Sequence, residues 1–208
     1  LCSIESSTFN QDEVDNIHLD LILKVIKIDL FGAKMSALTE INNNIEASNR
    51  ISVNSYIPKE KLLDCLKSNE ILSNLLRENL HQPQYVKKVA RIVRFLLEND
   101  ALSLGDLDEI WRTQTGRHDV IAQNVEFLII QSVKYFSAKH LDQLFDSFKA
   151  TLLGSPKQQQ ERVIRLIPRL VAEDPKGLAQ NAATFLWELS IRPLLLPDIN
   201  SAALEAHY

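Results

Sequence analysis

The 208-residue chain sets 23 Lys/Arg against 27 Asp/Glu, a formal net charge of −4, in a composition that is 45% hydrophobic. That balance supplies enough apolar surface for a folded core, and it argues against nucleic-acid binding, which needs concentrated positive charge to displace counterions from phosphates. Only 5 Gly and 7 Pro occur, and the β-branched residues are scattered through helix-like patterns rather than gathered into alternating runs, so essentially no sheet is expected.

The first predicted element follows Asn10. Val14, Ile17, Leu21, Val25 and Ile28 recur at helical spacing, with Leu19, Leu23, Ile26 and Leu30 widening the apolar face, and a helix this apolar is expected to be covered on more than one side. Phe31-Gly32 reads as a break. A second helix over 33–48 carries the narrower stripe Met35, Leu38, Ile41 and Ile45, making a helical hairpin with the first. Pro58 stands at a first helical position ahead of Leu62, Leu63 and Leu66, where its missing amide hydrogen costs nothing. Ser68 or Asn69 then caps a shorter helix through Ile71, Leu72, Leu75 and Leu76.

The clearest periodicity covers 82–99, where Val86, Val89, Ala90, Val93, Leu96 and Leu97 follow the i, i+3, i+4, i+7 pattern, with Ile92 and Phe95 on a second apolar face. Ser103 and Asp106 have capping-box spacing before Leu107, Ile110 and Trp111, and Gly116 ends that helix. A long apolar element over 118–136 carries Ile121, Val125, Leu128, Ile129 and Val133. Ser137 caps the next, which carries Leu141, Leu144, Phe145 and Phe148. Gly154-Ser155-Pro156 reads as a C-terminal glycine, an N-cap and an N1 proline. The helix that follows has Val163, Leu166, Ile167, Leu170 and Val171 inward and an interior Pro168 that should bend it. Asp174-Pro175 repeats the cap-plus-proline start ahead of Leu178, Ala182, Phe185, Leu186 and Leu189, and after Pro193 and Pro197 a last short helix runs toward Tyr208.

Short connections force successive helices to pack antiparallel, so the chain reads as all-α: an armadillo/HEAT-like α-solenoid of antiparallel helix pairs, roughly ten or eleven helices long. Residues 1–208 form one such segment, with a soft division near 100–103. A closed bundle would need helices of similar length, and here the lengths are unequal. The acidic excess lies at the N-terminal end, with 4 Lys/Arg against 8 Asp/Glu in residues 1–57 and 19 against 19 beyond.

Little in the chain suggests chemistry. His18, His81, His118, His140 and His207 include no pair at i, i+3 or i+4, so no helical face offers two imidazoles to one metal. Cys2 and Cys65 fit reduced thiols better than a disulfide framework, and Cys65 has the periodicity of a packed helix residue rather than a nucleophile at a glycine-rich helix entry. The five glycines are each isolated at element boundaries, which leaves no phosphate loop, and no cofactor is expected. Asp106, Asp108 and Glu109 suit the positive end of a helix dipole more than a cation site.

Two features are less neutral. Lys87, Arg91 and Arg94 lie at i, i+4, i+7 opposite the main apolar stripe, and Arg162, Arg165 and Arg169 form a similar ridge. Corresponding helices of a solenoid line one surface, so the two ridges could form a groove for an acidic peptide; the competing reading is a solvated face with Glu98 and Glu161 as local partners. Trp111 and Trp187 are expected in core or inter-repeat packing. No apolar run reaches the roughly 18–20 residues needed to span a bilayer, and no signal sequence precedes the first helix, so a cytoplasmic protein without membrane insertion is expected. A start at Leu1 reads as a piece excised from something larger.

The run Leu104-Gly-Asp-Leu-Asp-Glu-Ile-Trp-Arg-Thr-Gln-Thr-Gly-Arg-His118, then His140-Leu-Asp-Gln-Leu-Phe-Asp-Ser-Phe-Lys149, resembles the N-terminal armadillo/HEAT-like helical region of the very large ubiquitin-specific proteases of the fat facets type. Val163-Ile-Arg-Leu-Ile167, Ala172-Glu-Asp-Pro-Lys176 and Phe185-Leu-Trp-Glu-Leu189 extend the likeness over the last half, whereas before Gln82 it rests on helical character alone. The resemblance implies a parent deubiquitinating cysteine protease, with this region recognising substrate or adaptor proteins of the ubiquitin pathway. Neither Cys2 nor Cys65 sits in the family's Gly-Asn-Thr-Cys context, so no catalytic residue is carried over and the region itself is expected not to be an enzyme. Two alternatives stand beside this reading: a nuclear-transport or trafficking adaptor of the same architecture, and a purely structural spacer.

Overall fold

The computed structural model describes residues 10–48, 57–68 and 71–190. Among them are ten α-helices, one short 3₁₀ helix and no strand, an all-α architecture. Contacts divide the chain into two compact units, 1–79 and 80–208. The segment around 100–103 lies inside the second unit. Cys2, the cap at Asn69 and the helix expected after Pro197 fall outside the described residues.

The first unit holds α1 (Gln11–Ile26), α2 (Phe31–Ser48), α3 (Lys59–Ser68) and α4 (Ile71–Arg77). Asn10 caps α1 by accepting from the Asp12 amide. Helix α2 packs along α1, but on the side carrying Asp15, Leu19, Ile22 and Ile26. The stripe singled out from the sequence faces outward instead: Ile17 is 66% exposed and Leu21 57%, with Val14 and Ile28 also exposed. At about 100° per residue these sets lie roughly 150° apart around the helix, and among the described residues only one of them is covered. The break also comes earlier than expected. The chain turns at 27–30, and Phe31-Gly32 form the first turn of α2, where the amide hydrogens have no helical partners to lose.

Leu38, Ile41 and Ile45 of α2 are buried as anticipated, and Met35 is half-buried. Lys34 is only 7% exposed; its stem packs inward while its ammonium bonds the Glu78 carboxylate and reaches to 3.5 Å from Asp29. Leu62 and Leu66 of α3 and Ile71, Leu72, Leu75 and Leu76 of α4 complete this core. Lys61 ties α3 to α1 at 2.6 Å from Asp12.

The second unit holds α5 (Pro83–Glu98), α6 (Leu104–Arg112), α7 (Asp119–Ser132) continued by a 3₁₀ turn (Val133–Tyr135), α8 (Ala138–Gly154), α9 (Lys157–Glu173) and α10 (Pro175–Ser190). Helix α7 packs between α5 and α9, α6 packs on α8, and α9 also meets α8 and α10. Helices two apart in sequence thus lie side by side, the stacking of an α-solenoid, in which each pair buries its apolar faces only against its neighbours. Aromatic rings tie the even-numbered layer: Trp111 of α6 lies 4.8 Å from Phe148 of α8, and Phe145 lies 5.1 Å from Phe185 of α10. Trp111 is buried and donates to the Thr151 hydroxyl at 3.1 Å. Trp187 departs from expectation, with 54% of its surface exposed.

The local signals mostly fold as their chemistry dictates. Ser103 and Asp106 form the reciprocal capping box of α6, and Ser137 forms another with His140, whose ring also meets the Leu102 carbonyl at 3.1 Å. Gly116, at φ 71°, belongs to the turn beyond α6 rather than to its last residue. Ser155 and Pro156 each sit one place away from the roles read for them. Ser155 is the extended C-cap of α8, and Pro156 is the N-cap of α9, without a side-chain capping bond. Helix α9 runs through Pro168, which stands on its exposed side and leaves the Ile164 carbonyl without its helical amide donor. Pro175 opens α10 as expected. No helix among the described residues is long and apolar enough to cross a membrane.

Candidate functional site

The amphipathicity of α5 fixes where its basic ridge lies. Tyr85, Val86, Val89, Ile92, Val93, Leu96 and Leu97 are buried, which turns Lys87, Arg91 and Arg94 outward. Phe127 and Gln131 of α7 and Lys134 of the 3₁₀ turn face this ridge across a groove of ≈ 340 Å³. Arg94 is held in place: its Nε donates to Glu98 at 2.8 Å, and its guanidinium carbon lies 4.9 Å from the centre of the Tyr135 ring. The Glu98 hydrogen bond, ahead of the opposing effect of burial, raises the Arg94 pKa above its ordinary value. Lys134 reaches over the same ring, its ammonium 5.2 Å from the centroid. Lys87 and Lys134 make no ion pair among the described residues.

The second ridge, on α9, borders the same layer of helices but meets a different neighbour. Arg162 bonds Asp119, Arg165 lies 3.5 Å from Glu161, and Arg169 donates to Glu126 at 2.8 Å. These six residues, with Gln123 and Gln158, line a groove of ≈ 580 Å³ between α7 and α9. Three cations thus face three carboxylates. The α5 groove is lined by the cations Lys87, Arg91, Arg94 and Lys134, of which Arg94 bonds Glu98. Helix α7 separates the two surfaces, turning Asp119 and Glu126 toward α9 and Phe127 and Gln131 toward α5.

Sequence spacing found Glu98 and Glu161 because each lies four residues from its arginine. It missed Asp119 and Glu126, which reach α9 only because α7 and α9 stack. It also missed Phe127, Gln131 and Lys134 as the far wall of the α5 groove. The one available signal was the solenoid register itself, which makes alternate helices neighbours.

Elsewhere, Cys65 is half-buried on α3 and not disulfide-bonded; burial pushes its thiol pKa up, away from the thiolate that nucleophilic attack requires. Among the described residues, no group of three or more His, Cys, Asp or Glu side chains could hold a metal ion.

Comparison with known proteins bears on both units. The family model described as the UBP24/USP9X/USP9Y ARM repeat matches residues 12–208. The chain belongs to this ARM-repeat family. It is 38% identical over 197 residues to ubiquitin carboxyl-terminal hydrolase 9X of Mus musculus, covering 91% of this chain and 8% of that protein. The probable ubiquitin carboxyl-terminal hydrolase FAF of Drosophila melanogaster is 34% identical over 209 residues, covering 94% of this chain and 8% of its own length. Ubiquitin carboxyl-terminal hydrolase 24 of Homo sapiens is 31% identical over 196 residues, covering 93% and 7% respectively. These matches confirm the resemblance carried by residues 104–189 and extend it into the first unit, where sequence reading had only helical character to go on. The chain therefore spans less than a tenth of the relatives it matches.

Proposed function

We propose that this ARM region is a non-catalytic, protein-recognising part of a large cysteine-type deubiquitinase that works in the cytoplasm, and that it presents substrates or adaptors to a catalytic domain elsewhere in the parent. The observation that carries the proposal is the match over residues 12–208 to relatives named as ubiquitin carboxyl-terminal hydrolases. The geometry supports it. The described helices expose broad polar surfaces, and Cys65, the cysteine they contain, is packed into α3 with its thiol favoured in the protonated form. A stacked helical array supplies extended surface rather than a deep enclosed site, the form suited to gripping another protein.

Two measurements on the purified chain test this reading. Incubated with ubiquitin carrying a C-terminal fluorogenic leaving group, it should release no fluorophore. Immobilised, it should retain proteins of the ubiquitin pathway, identified by mass spectrometry. Turnover above the blank would overturn the non-catalytic assignment, and retention of only nuclear-signal peptides or small GTPases would favour a transport adaptor instead.

A further inference from the structure

We propose that the outward face of α1 is a repeat-to-repeat junction, covered in the parent protein by the apolar stripe of an ARM helix that precedes α1 in the chain. This goes beyond the recognition reading, because it concerns how the array continues and not what the array binds.

Four large aliphatic side chains form the face. Ile17 and Leu21 are 66% and 57% exposed, and Val14 and Ile28 are 41% and 44% exposed. With half-buried Val25 they recur at three- and four-residue intervals, a single stripe along α1 and into the turn after it. Scattered exposed aliphatic residues are normal on a protein surface, but a contiguous apolar patch with a polar rim marks a place where another element docks. Charged groups beside the stripe are paired within the first unit. Lys24 lies 2.6 Å from Asp20, and His18 lies 3.3 Å from Glu40 of α2. Covering the stripe therefore strands none of these four groups without a partner.

Helix α7 shows how such a helix is packed when the array continues on both sides. Leu128 and Ile130 are two residues apart, about 160° round the helix, and both are buried, with α5 and α9 on either side of α7. In α1 the pairs Ile17–Leu19 and Leu19–Leu21 have the same separation, yet of these three residues Leu19 alone is buried. Helix α1 has α2 along the Leu19 side and reaches α3 through Lys61, whereas no described helix covers the Ile17–Leu21 side. The neighbour this side lacks is the one two places earlier in chain order, the place that α5 takes beside α7. A parent of the relatives' size has chain to supply it, since the match to the mouse 9X hydrolase covers only 8% of that protein. The occupant that fits is an amphipathic helix with an aliphatic stripe, which a repeat of this kind cannot bury by itself.

The test is cysteine labelling read peptide by peptide, on the 208-residue chain and on the proposed parent deubiquitinase. Leu21→Cys should react readily with a maleimide in the 208-residue chain and at least about tenfold more slowly in the parent. Asn16→Cys, at an exposed polar position of α1, should react in both at rates within about twofold of each other. Ile17→Cys provides a second reporter on the same face, and circular dichroism checks that each variant is folded. Incorporated at position 21 of the parent, p-benzoylphenylalanine should cross-link on irradiation to a segment that precedes Leu1.

The proposal is overturned by equal labelling of positions 17 and 21 in the two proteins, or by protection already present in the 208-residue chain. Protection there that disappears on dilution assigns the face to a second copy, and protection that persists assigns it to the chain's own residues. A cross-link from position 21 to the catalytic domain or to a separate protein overturns it as well, and gives the face to that partner.

Discussion

Arg169 and Arg165 are four residues apart on one helix, yet they stand in different surroundings. Arg165 is 79% exposed by side chain and its partner Glu161 40%, so their contact is an exposed i, i+4 pair. Such pairs contribute about 0.5 kcal/mol or less. Arg169 instead reaches Glu126, whose side chain is only 9% exposed. Removing Arg169 leaves that carboxylate buried without its charged partner, and an unsatisfied buried acceptor costs about 1–3 kcal/mol. Arg169→Ala should therefore lower the urea midpoint clearly, whereas Arg165→Ala should leave it nearly unchanged; equal shifts would refute the difference in environment. Lys34 permits a pH prediction. Its pKa is raised above 10.5, chiefly by the hydrogen bond to Glu78 and against the opposing effect of burial. A lysine whose folded pKa exceeds its unfolded value stabilises the fold fully below the unfolded value and loses that contribution as pH rises through the folded one. The stability difference between the wild type and Lys34→Met should thus be constant from neutral pH to about pH 10, then change against the wild type at higher pH, as followed by urea titration.

At the scale of the element, α1 shows most clearly what periodicity leaves undecided. Its sequence carries two apolar sets, and helical spacing made Val14, Ile17 and Leu21 the main stripe, with Leu19 and Ile26 only widening it and Ile22 left out. Only the position of α2 selects between them, and α2 covers the second. Truncating a buried aliphatic side chain costs about 2–5 kcal/mol, while a surface change costs about 0.5 kcal/mol or less. Ile22→Ala should therefore destabilise the first unit strongly and Leu21→Ala hardly at all, as read by chemical denaturation. Where both apolar faces of a helix are covered, as the main stripe of α5 and its second face with Ile92 and Phe95 are, sequence and structure agree almost residue for residue, because no choice between faces is left to make. Caps were legible for a similar reason. Ser103 with Asp106, and Ser137 at the start of α8, act through bonds spanning three residues and need no tertiary context. The Ser155-Pro156 junction slipped by one place because it serves two helices at once, ending α8 as it starts α9. The candidate site was half legible. Each ridge is a property of one helix, but the carboxylates that meet the α9 ridge and the far wall of the α5 groove come from α7.

On the scale of the whole molecule, the account joins a family to an architecture. Residues 12–208 belong to an ARM-repeat family whose relatives named here are ubiquitin hydrolases, and the described helices offer stacked surfaces with the cysteine they contain half-buried. Recognition separated from catalysis predicts a particular kinetic signature. A small fluorogenic ubiquitin needs only the catalytic domain, whereas a ubiquitin-modified protein must also be gripped, and lost gripping lowers the specificity constant for that substrate alone. The decisive measurement compares the proposed parent deubiquitinase with a form lacking residues 11–190, its catalytic domain shown to be folded by an unchanged melting transition. On fluorogenic ubiquitin, kcat/KM should hold within about twofold; on a ubiquitin-modified protein substrate it should fall at least about tenfold. A parallel loss on both substrates would contradict the account, because it would place this region in the catalytic machinery rather than in recognition.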